Sequence, residues 1–283
     1  MTLLASWIGV DTHGPTSAYI VSDSRISWEK NKNKLDHFDQ AKKVFASKKY
    51  PEIFGYAGDA LFPSIVLAQI VEMIDTDILF DEKMTCDEKN QIVYERLRYA
   101  FSTYPNASLG GNRIQILHLS RDTIVDGYPA FYHCLMEYDG QKTWKRYVKP
   151  IPNQSGLLQA LGSGYQEFMT NYNKRYQNGA NRSTSRNVFH CFIDTLNNIK
   201  DQHCGGLPQL VGIYRKPFTT GKNYGIIIGK QRCFLGTAVP VDASCDKIEW
   251  RNELFERCEG NSRKVLDDAV RQLDPLRRKS ATP

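Results

Sequence analysis

The order of predicted strands and helices restricts the fold of this chain more than any other feature of its sequence. In chain order, residue periodicity predicts strands at 3–10, 17–23, 42–47 and 52–57, helices at 61–74 and 87–103, strands at 113–120, 128–138, 143–149 and 156–161, helices at 165–175 and 186–200, and strands at 209–215, 224–229 and 232–236. A doubly wound parallel sheet would alternate single strands with single helices. Pairs of helices between blocks of strands instead predict an α+β fold, in which two antiparallel sheets lie between layers of helices.

A polar connection and the C-terminus complete this prediction. Residues 29–38 are mostly polar and are predicted to form a loop. Residues 240–283 carry helical patterns near 246–258 and 261–273. We therefore expect a main domain at 2–239 and a helical C-terminal extension that packs on it.

Composition is that of an ordinary globular protein. The chain has 283 residues, of which 41% are hydrophobic and 24% are charged. No apolar run approaches the roughly 18 residues of a membrane-spanning helix, and the N-terminus lacks the pattern of a signal peptide. We expect a cytoplasmic protein without a membrane partner. The net charge of +6 comes without the sequence pattern of a nucleic-acid-binding module, so a nucleic-acid partner is not expected.

Cysteine spacing argues against a zinc site and against a disulfide framework. The seven cysteines are odd in number, and none forms a Cys-x-x-Cys pair. They are Cys86, Cys134, Cys191, Cys204, Cys233, Cys245 and Cys258. We expect reduced thiols, no bound metal and no cofactor.

Thr2 is the first candidate for chemistry, because removal of Met1 would make it the N-terminal residue. A small second residue generally permits that removal. The new N-terminus would carry a hydroxyl and an α-amine on one residue, and this pair is a known way to activate a weak nucleophile. The sequence therefore predicts a nucleophile at Thr2 once Met1 is removed.

Five short motifs follow Thr2 in a fixed order. They are Asp23-Ser24-Arg25, Lys42-Lys43-Val44, Ala57-Gly58, Gly162-Ser163-Gly164 and Asp201-Gln202-His203-Cys204-Gly205-Gly206. Over residues 2–235 this ordered set resembles the β-type subunits of the proteasome and their bacterial relatives, the N-terminal-threonine proteases of the Ntn-hydrolase superfamily. The resemblance implies a four-layer αββα sandwich.

The resemblance also implies roles for individual residues. Thr2 is the nucleophile of acyl transfer, and Lys43 assists its amine. Asp23 is the carboxylate that holds Lys43. The backbone N–H of Gly58 is expected to bind the oxyanion of the tetrahedral intermediate.

Three further residues are expected to support the Thr2 amine. Ser163 holds the amine, and Asp201 supports Ser163. Cys204 lies where the family has a serine, and a thiol is a weaker hydrogen-bond partner than a hydroxyl. This replacement indicates either a weakened network or a subunit that has lost activity.

The same resemblance predicts a pocket for the substrate side chain before the cut bond. Its lining would be Ile26, Ala41, Phe45, Tyr56 and Ala60. Most of these side chains are apolar, so the pocket is expected to be hydrophobic. The alternative is that they are core residues.

Three functions remain open from the sequence. The first is a threonine endopeptidase that cleaves polypeptides through an acyl-enzyme on Thr2. The second is a catalytically silent, proteasome-like structural or partner-binding subunit, which Cys204 or a retained Met1 would favour. The third is an Ntn amidase that acts on a small amide. The resemblance further implies a homo-oligomer, for which a ring is possible, and a separate ATPase, unfoldase or regulatory chain.

Overall fold

Blocks of antiparallel strands and pairs of helices make up the described part of the chain. The computed structural model describes residues 2–31, 34–105, 113–122, 129–141, 143–215, 220–240 and 242–269. The strands are β1 (Leu4–Asp11), β2 (Gly14–Ser22), β3 (Ile26–Asn31), β4 (Lys34–Phe38), β5 (Val44–Ala46), β6 (Glu52–Gly58), β7 (Ile114–Arg121), β8 (Phe131–Tyr138), β9 (Trp144–Lys149), β10 (Gly156–Leu161), β11 (Gln209–Tyr214), β12 (Lys222–Ile228), β13 (Gln231–Phe234), β14 (Thr237–Ala238), β15 (Glu249–Asn252) and β16 (Arg257–Cys258). The helices are α1 (Leu61–Asp75), α2 (Cys86–Ser102), α3 (Tyr165–Asn171), which continues into a π-helical turn at Tyr172–Tyr176, and α4 (Ser185–Asn198). The predicted α+β class is confirmed. None of these helices is long and apolar enough to cross a membrane.

Two large sheets form the body of the fold. The first has the spatial order β10-β1-β2-β11-β12-β13-β14, and the second has the order β5-β6-β7-β8-β9. Neighbours along both paths are antiparallel. Leu4 of β1 lies opposite both Ser22 of β2 and Leu161 of β10. The chain segments just beyond these three residues therefore meet at one end of the first sheet.

Three large hydrophobic clusters and a small one around Trp250 lie in the described part of the chain. One joins the first sheet to α3 and α4, with Trp7 and Phe189 among its members. The second joins the second sheet to α1 and α2, with Phe54 and Leu67 among its members. The third contains residues of β1 and β2 together with residues of β5, β6 and β7, and so lies between the sheets. The four-layer order as a whole stays a prediction.

Residues 29–31 and 34–38 belong to two paired strands, so the predicted polar loop is wrong there, and residues 32 and 33 lie outside the described residues. β3 and β4 pair in antiparallel fashion, with Ile26 opposite Phe38 and Trp28 opposite Asp36. Trp28 is 54% exposed and Phe38 is 48% exposed. Sequence periodicity reports a strand when one of its faces is buried. This hairpin carries exposed residues on β4 and at Trp28. Its sequence therefore lacks the alternation of apolar and polar residues from which a strand is predicted.

The C-terminal extension forms strands over part of the segment for which the sequence predicts a helix. β15 pairs with β12 in parallel and with β16 in antiparallel fashion. Trp250 of β15 covers Gly225 of β12, where an added Cβ would come within 2.3 Å of the indole ring. Its indole N–H donates to Cys245 O at 3.0 Å. Pairing with β12 therefore overrides the helical pattern of 246–258.

The rest of the predicted extension is also not helical where it is described. Residues 261–269 contain turns and an isolated bridge between Val265 and Cys258, and residues 270–273 lie outside the described residues. Phe255 inserts into the cluster of the first sheet, with its ring centroid 5.0 Å from that of Phe189. The extension thus packs on the main body, while the boundary at residue 240 stays a prediction.

Candidate active site

Thr2, Lys43 and Asp23 meet at the end of the first sheet where β1 begins and β2 ends. The Lys43 ammonium donates one hydrogen bond to Thr2 Oγ1 at 2.9 Å and another to Asp23 Oδ1 at 2.8 Å. The exposed fraction of each of these residues is at most 1%. The arrangement places a cation against the hydroxyl that would become the nucleophile.

Four donors fix the Asp23 carboxylate. Oδ1 accepts from Leu3 N–H at 3.1 Å in addition to Lys43. Oδ2 accepts from Gly205 N–H at 3.0 Å and from Arg25 N–H at 3.4 Å. Both carboxylate oxygens of Asp23 therefore face hydrogen-bond donors and act as acceptors. The carboxylate ties the start of β1 and the end of β2 to the loop that leads into β11.

The Gly162-Ser163-Gly164 motif surrounds the main chain of Thr2. Gly162 has a φ of +90°, and an added Cβ would lie 2.0 Å from Thr2 O, so only glycine fits there. Gly164 N–H donates to Thr2 O at 3.2 Å. Ser163 Oγ accepts from Thr2 N–H at 3.4 Å. The motif thus holds Thr2 from the side of β10.

Cys204 links Ser163 to Asp201. Its thiol lies 3.5 Å from Ser163 Oγ and donates to Asp201 Oδ2 at 3.4 Å. Burial, followed by the charge of Asp23, raises the pKa of Cys204 to about 12, so the thiol stays protonated. Burial raises the pKa of Asp201, but hydrogen bonds from Ser163, His203 N–H and Cys204 outweigh it and hold this pKa below its usual value. Cys204 therefore acts as a donor in this network and is unsuited to be a nucleophile.

Packing against Arg113 by itself explains why residue 58 is a glycine, without a role in substrate binding. Its φ is +98°, and an added Cβ would lie 2.0 Å from Arg113 O. The next residue, Asp59, accepts from Phe62 N–H at 3.1 Å in the first turn of α1, as expected of a capping carboxylate. Burial raises the pKa of Asp59. Gly58 as the oxyanion donor stays a prediction.

The residues predicted to line a specificity pocket lie mostly in the interior. Phe45 and Tyr56 belong to the cluster between the second sheet and α1, and Ala60 packs against that cluster. Ala41 is 6% exposed, and Ile26 opens β3. The two large side chains thus serve the core, which is the alternative that the sequence left open. The pocket assignment stays a prediction.

One cavity in the described part of the chain is lined by residues outside the Thr2 site. It has a volume of about 570 Å³ and is lined by the turn between β12 and β13 together with residues 260–263. Thr2 itself is only 1% exposed. The cavity therefore does not contain the candidate nucleophile.

Arg25 supports the site, although the sequence assigns it no role there. Its Nε and Nη2 donate to the Asp39 carboxylate at 2.7 and 2.8 Å, which holds the pKa of Asp39 below its usual value. Its Nη1 donates to Gln202 O at 3.2 Å and to Cys204 O at 3.3 Å. Arg25 thereby anchors the loop that carries Cys204. The Asp23-Ser24-Arg25 motif includes Arg25 in the sequence, but it does not reveal that the partners of Arg25 are Asp39, Gln202 and Cys204.

Solved structures of similar fold come from the Anbu proteins. The helical assembly of the Anbu complex from Pseudomonas aeruginosa matches with a TM-score of 0.50 at 13% identity, over 85% of this chain and 88% of that one. Anbu (ancestral beta-subunit) from Yersinia bercovieri matches with a TM-score of 0.51 at 9% identity, over 84% and 88% of the respective chains. This chain has an Anbu-like fold.

The Anbu matches correct the family suggested by the motifs. The similar structures are Anbu proteins, and they do not show a proteasome β-type threonine protease. No protein-family model and no curated protein matches the sequence. The motifs lie where strands end and turns begin, as Asp23 does after β2 and Gly162 does after β10. Such positions are constrained by the fold itself, so the motifs do not single out the protease subunits.

Proposed function

We propose that this chain is a proteasome-like subunit that assembles with copies of itself and hydrolyses amide bonds in a polypeptide after Met1 is removed. The observation that carries the hydrolase part is the buried Lys43 ammonium, which donates to both Thr2 Oγ1 and Asp23 Oδ1. The assembly part is supported by the Anbu-like fold, since one of the similar structures is a helical assembly. A separate unfolding or regulatory chain is an expectation from the sequence.

The chemistry begins when Thr2 gains a free α-amine. This amine accepts the proton of Oγ1 while the oxygen attacks the carbonyl carbon of the amide. Lys43, 2.9 Å from Oγ1, stabilises the negative charge that develops. The C–N bond breaks, the leaving amine takes up the proton, and an ester remains on Oγ1. Water then hydrolyses the ester with the α-amine as base, which releases the acid and restores the hydroxyl.

A catalytically silent, assembling subunit is the second candidate, and the comparisons favour it over a threonine endopeptidase. They support a proteasome-like fold and an assembly, and they contain nothing on peptide cleavage. One feature of the site also agrees with silence: Cys204 replaces the expected serine. A small amide is the alternative substrate for the same chemistry.

The layer order belongs to the same proposal. The cluster between the two sheets supports their face-to-face packing. The two remaining large clusters support one helix pair on each outer face. This order corresponds to an αββα sandwich.

Intact-mass measurement of the untagged protein tests the first requirement of hydrolysis. We expect a mass lower by one methionine. The processed protein is then treated with a hydrophobic β-lactone, whose ring opens when Thr2 Oγ1 attacks its carbonyl, so that the whole reagent is added as an ester. Peptide mapping locates the label at Thr2. A fully retained Met1 would contradict the hydrolase, because Thr2 would have no α-amine.

Two neighbouring lysines provide a matched pair of variants. Thr2→Ala should abolish labelling, and Lys43→Ala should slow it by about 10³-fold or more, as for other members of a catalytic unit. Lys42→Ala is the control, because the Lys42 ammonium lies over the ring of Phe45 at 4.5 Å. It should label at the wild-type rate. Equal rates for the two lysine variants would show that Lys43 does not act on Thr2.

Sedimentation velocity and electron microscopy separate the two candidates. Both candidates require a homo-oligomer, so a monomer at all concentrations would contradict the assembly. An assembly that has lost Met1 and still takes up no β-lactone at Thr2 would be the silent subunit. Labelling and hydrolysis of hydrophobic peptides would establish the enzyme.

A further inference from the structure

Gln209 contacts the main chain on both sides of the Thr2 site. It is the first residue of β11, is fully buried, and lies opposite Ser22 of β2. Its Nε2 donates to Asp23 O at 2.9 Å and to Ala41 O at 2.9 Å. Its Oε1 accepts from Lys43 N–H at 2.9 Å. One side-chain amide thus connects the end of β2 to the segment that carries Lys43.

The surroundings of Gln209 permit only this orientation of its amide. A reversed amide would place its oxygen against two carbonyl oxygens and its NH₂ group against the Lys43 N–H. Gly236 closes the site from the turn after β13. An added Cβ at Gly236 would lie 3.2 Å from Gln209 Nε2 and 2.6 Å from Ser24 Cβ. The amide is therefore enclosed, and its three hydrogen bonds have no competition from water.

The segment before β5 needs such an anchor. Residues 40–43 are outside the strands. Tyr56 of β6 holds the C-terminal end of this segment, with its N–H donating to Lys43 O at 3.2 Å and its hydroxyl to Lys42 O at 3.3 Å. Besides Gln209, Ser24 O holds this segment by accepting from Ala41 N–H at 2.9 Å. The Lys43 ammonium sits at the end of a long side chain, and a shift of its main chain would be passed on to the ammonium.

We propose that Gln209 is a positioning residue of the Thr2 site. It fixes the main chain from which Asp23 and Lys43 project, so that the ammonium lies between Asp23 Oδ1 and Thr2 Oγ1. The kinetic consequence of this role rests on the hydrolase activity proposed above, whereas the structural consequence does not.

Variants of Gln209 test this role through the labelling of Thr2. Gln209→Leu removes all three hydrogen bonds. Gln209→Glu keeps the acceptor for Lys43 N–H but replaces the NH₂ donor to Asp23 O and Ala41 O by an oxygen. Glu52→Gln is the control for lost stability, because Glu52 is buried and its partners are His118, Ser120 and Lys89. The β-lactone labelling rate is measured for each processed protein over a range of pH. The charged groups that face the Thr2 nitrogen are Lys43, Asp23 and, through Ser163, Asp201.

We expect Gln209→Leu to label about tenfold more slowly or worse, with its half-maximal rate at higher pH. The pH shift follows because a displaced ammonium favours the neutral α-amine less. Gln209→Glu should also label more slowly, because its second oxygen faces Asp23 O and Ala41 O, where Gln209 has a donor. Glu52→Gln should keep the wild-type half-maximal pH once each rate is divided by the folded fraction measured at that pH. Wild-type rate and pH dependence in Gln209→Leu would overturn the role; if that variant does not fold, Gln209→Glu is judged by the same criteria.

A crystal structure of the variant separates this inference from the hydrolase itself. If wild-type Thr2 takes up no label after Met1 removal, the hydrolase proposal is wrong. The crystal structure of Gln209→Leu then tests the positioning role by itself. Displacement of Lys43 Nζ beyond hydrogen-bonding distance of Thr2 Oγ1 would support positioning. Retention of the 2.9 Å contact in Gln209→Leu would overturn it.

Discussion

Asp23→Asn should destabilise the fold strongly even though it preserves the shape of the side chain. Both oxygens of Asp23 face only donors: Leu3 N–H and Lys43 on one side, and two main-chain N–H groups on the other. In either orientation, the NH₂ group of asparagine meets one of these donor pairs. Two buried donors then lose their acceptor, at about 1–3 kcal/mol each, and Lys43 loses its counter-charge. We expect the free energy of unfolding to fall by about 3–5 kcal/mol, as for other broken buried pairs.

Urea unfolding followed by circular dichroism measures this loss. The matched control is Asp39→Asn, because Asp39 also pairs with a cation, Arg25, but its side chain is 41% exposed. Arg25 is 21% exposed and binds Asp39 through two hydrogen bonds, so this control should lose about 1 kcal/mol, well below the loss at Asp23. A loss below about 1 kcal/mol for Asp23→Asn would refute the assignment of Asp23 as an obligatory acceptor. A normal stability for the double variant with Lys43→Met would show that the cost arises from the stranded ammonium alone.

Three further predictions concern stability. Glu52→Gln should cost about 3–5 kcal/mol in urea unfolding, because it disrupts the buried pairs with His118 at 2.6 Å and Lys89 at 3.4 Å; an unchanged midpoint would contradict this. Burial lowers the pKa of His133 from 6.5 to about 4, so the unfolded chain binds its proton first and stability should fall as the pH drops through this window. His133→Phe should flatten that decline, and an identical pH profile would exclude His133 as its source. Phe255→Ala should cost about 3–5 kcal/mol in thermal or urea unfolding if the extension is part of the core, whereas a loss near zero would mean that it is dispensable.

Strongly periodic segments could be predicted from the sequence nearly to the residue. The helix predicted at 61–74 is α1 at Leu61–Asp75, whose buried face repeats at helical spacing. The helix predicted to start at Asp87 begins one residue earlier. Thr85 is its N-cap and forms a capping box with Glu88, so Asp87 lies inside the first turn.

Segments whose conformation depends on a distant partner could not be predicted in this way. β15 carries a charged pattern that resembles a helix, but it is a strand because it pairs with β12 and Trp250 covers Gly225. The β3–β4 hairpin lacks the contrast between a buried and an exposed face. In both cases the local sequence contains no information on the partner that decides the conformation.

The sequence by itself determined which chemical groups are present at Thr2, Asp23 and Lys43, and it determined the α+β class through the spacing of its apolar residues. The tertiary structure alone decided that these three groups touch. Their hydrogen bonds join residues 41 and 20 positions apart, and these bonds depend on the register of β1 against its two neighbours. A shift of that register by one residue would turn every side chain of β1 to the opposite face. The role of Gln209 is likewise visible only in the tertiary structure. A single glutamine that binds distant main-chain groups produces no periodic pattern in the sequence.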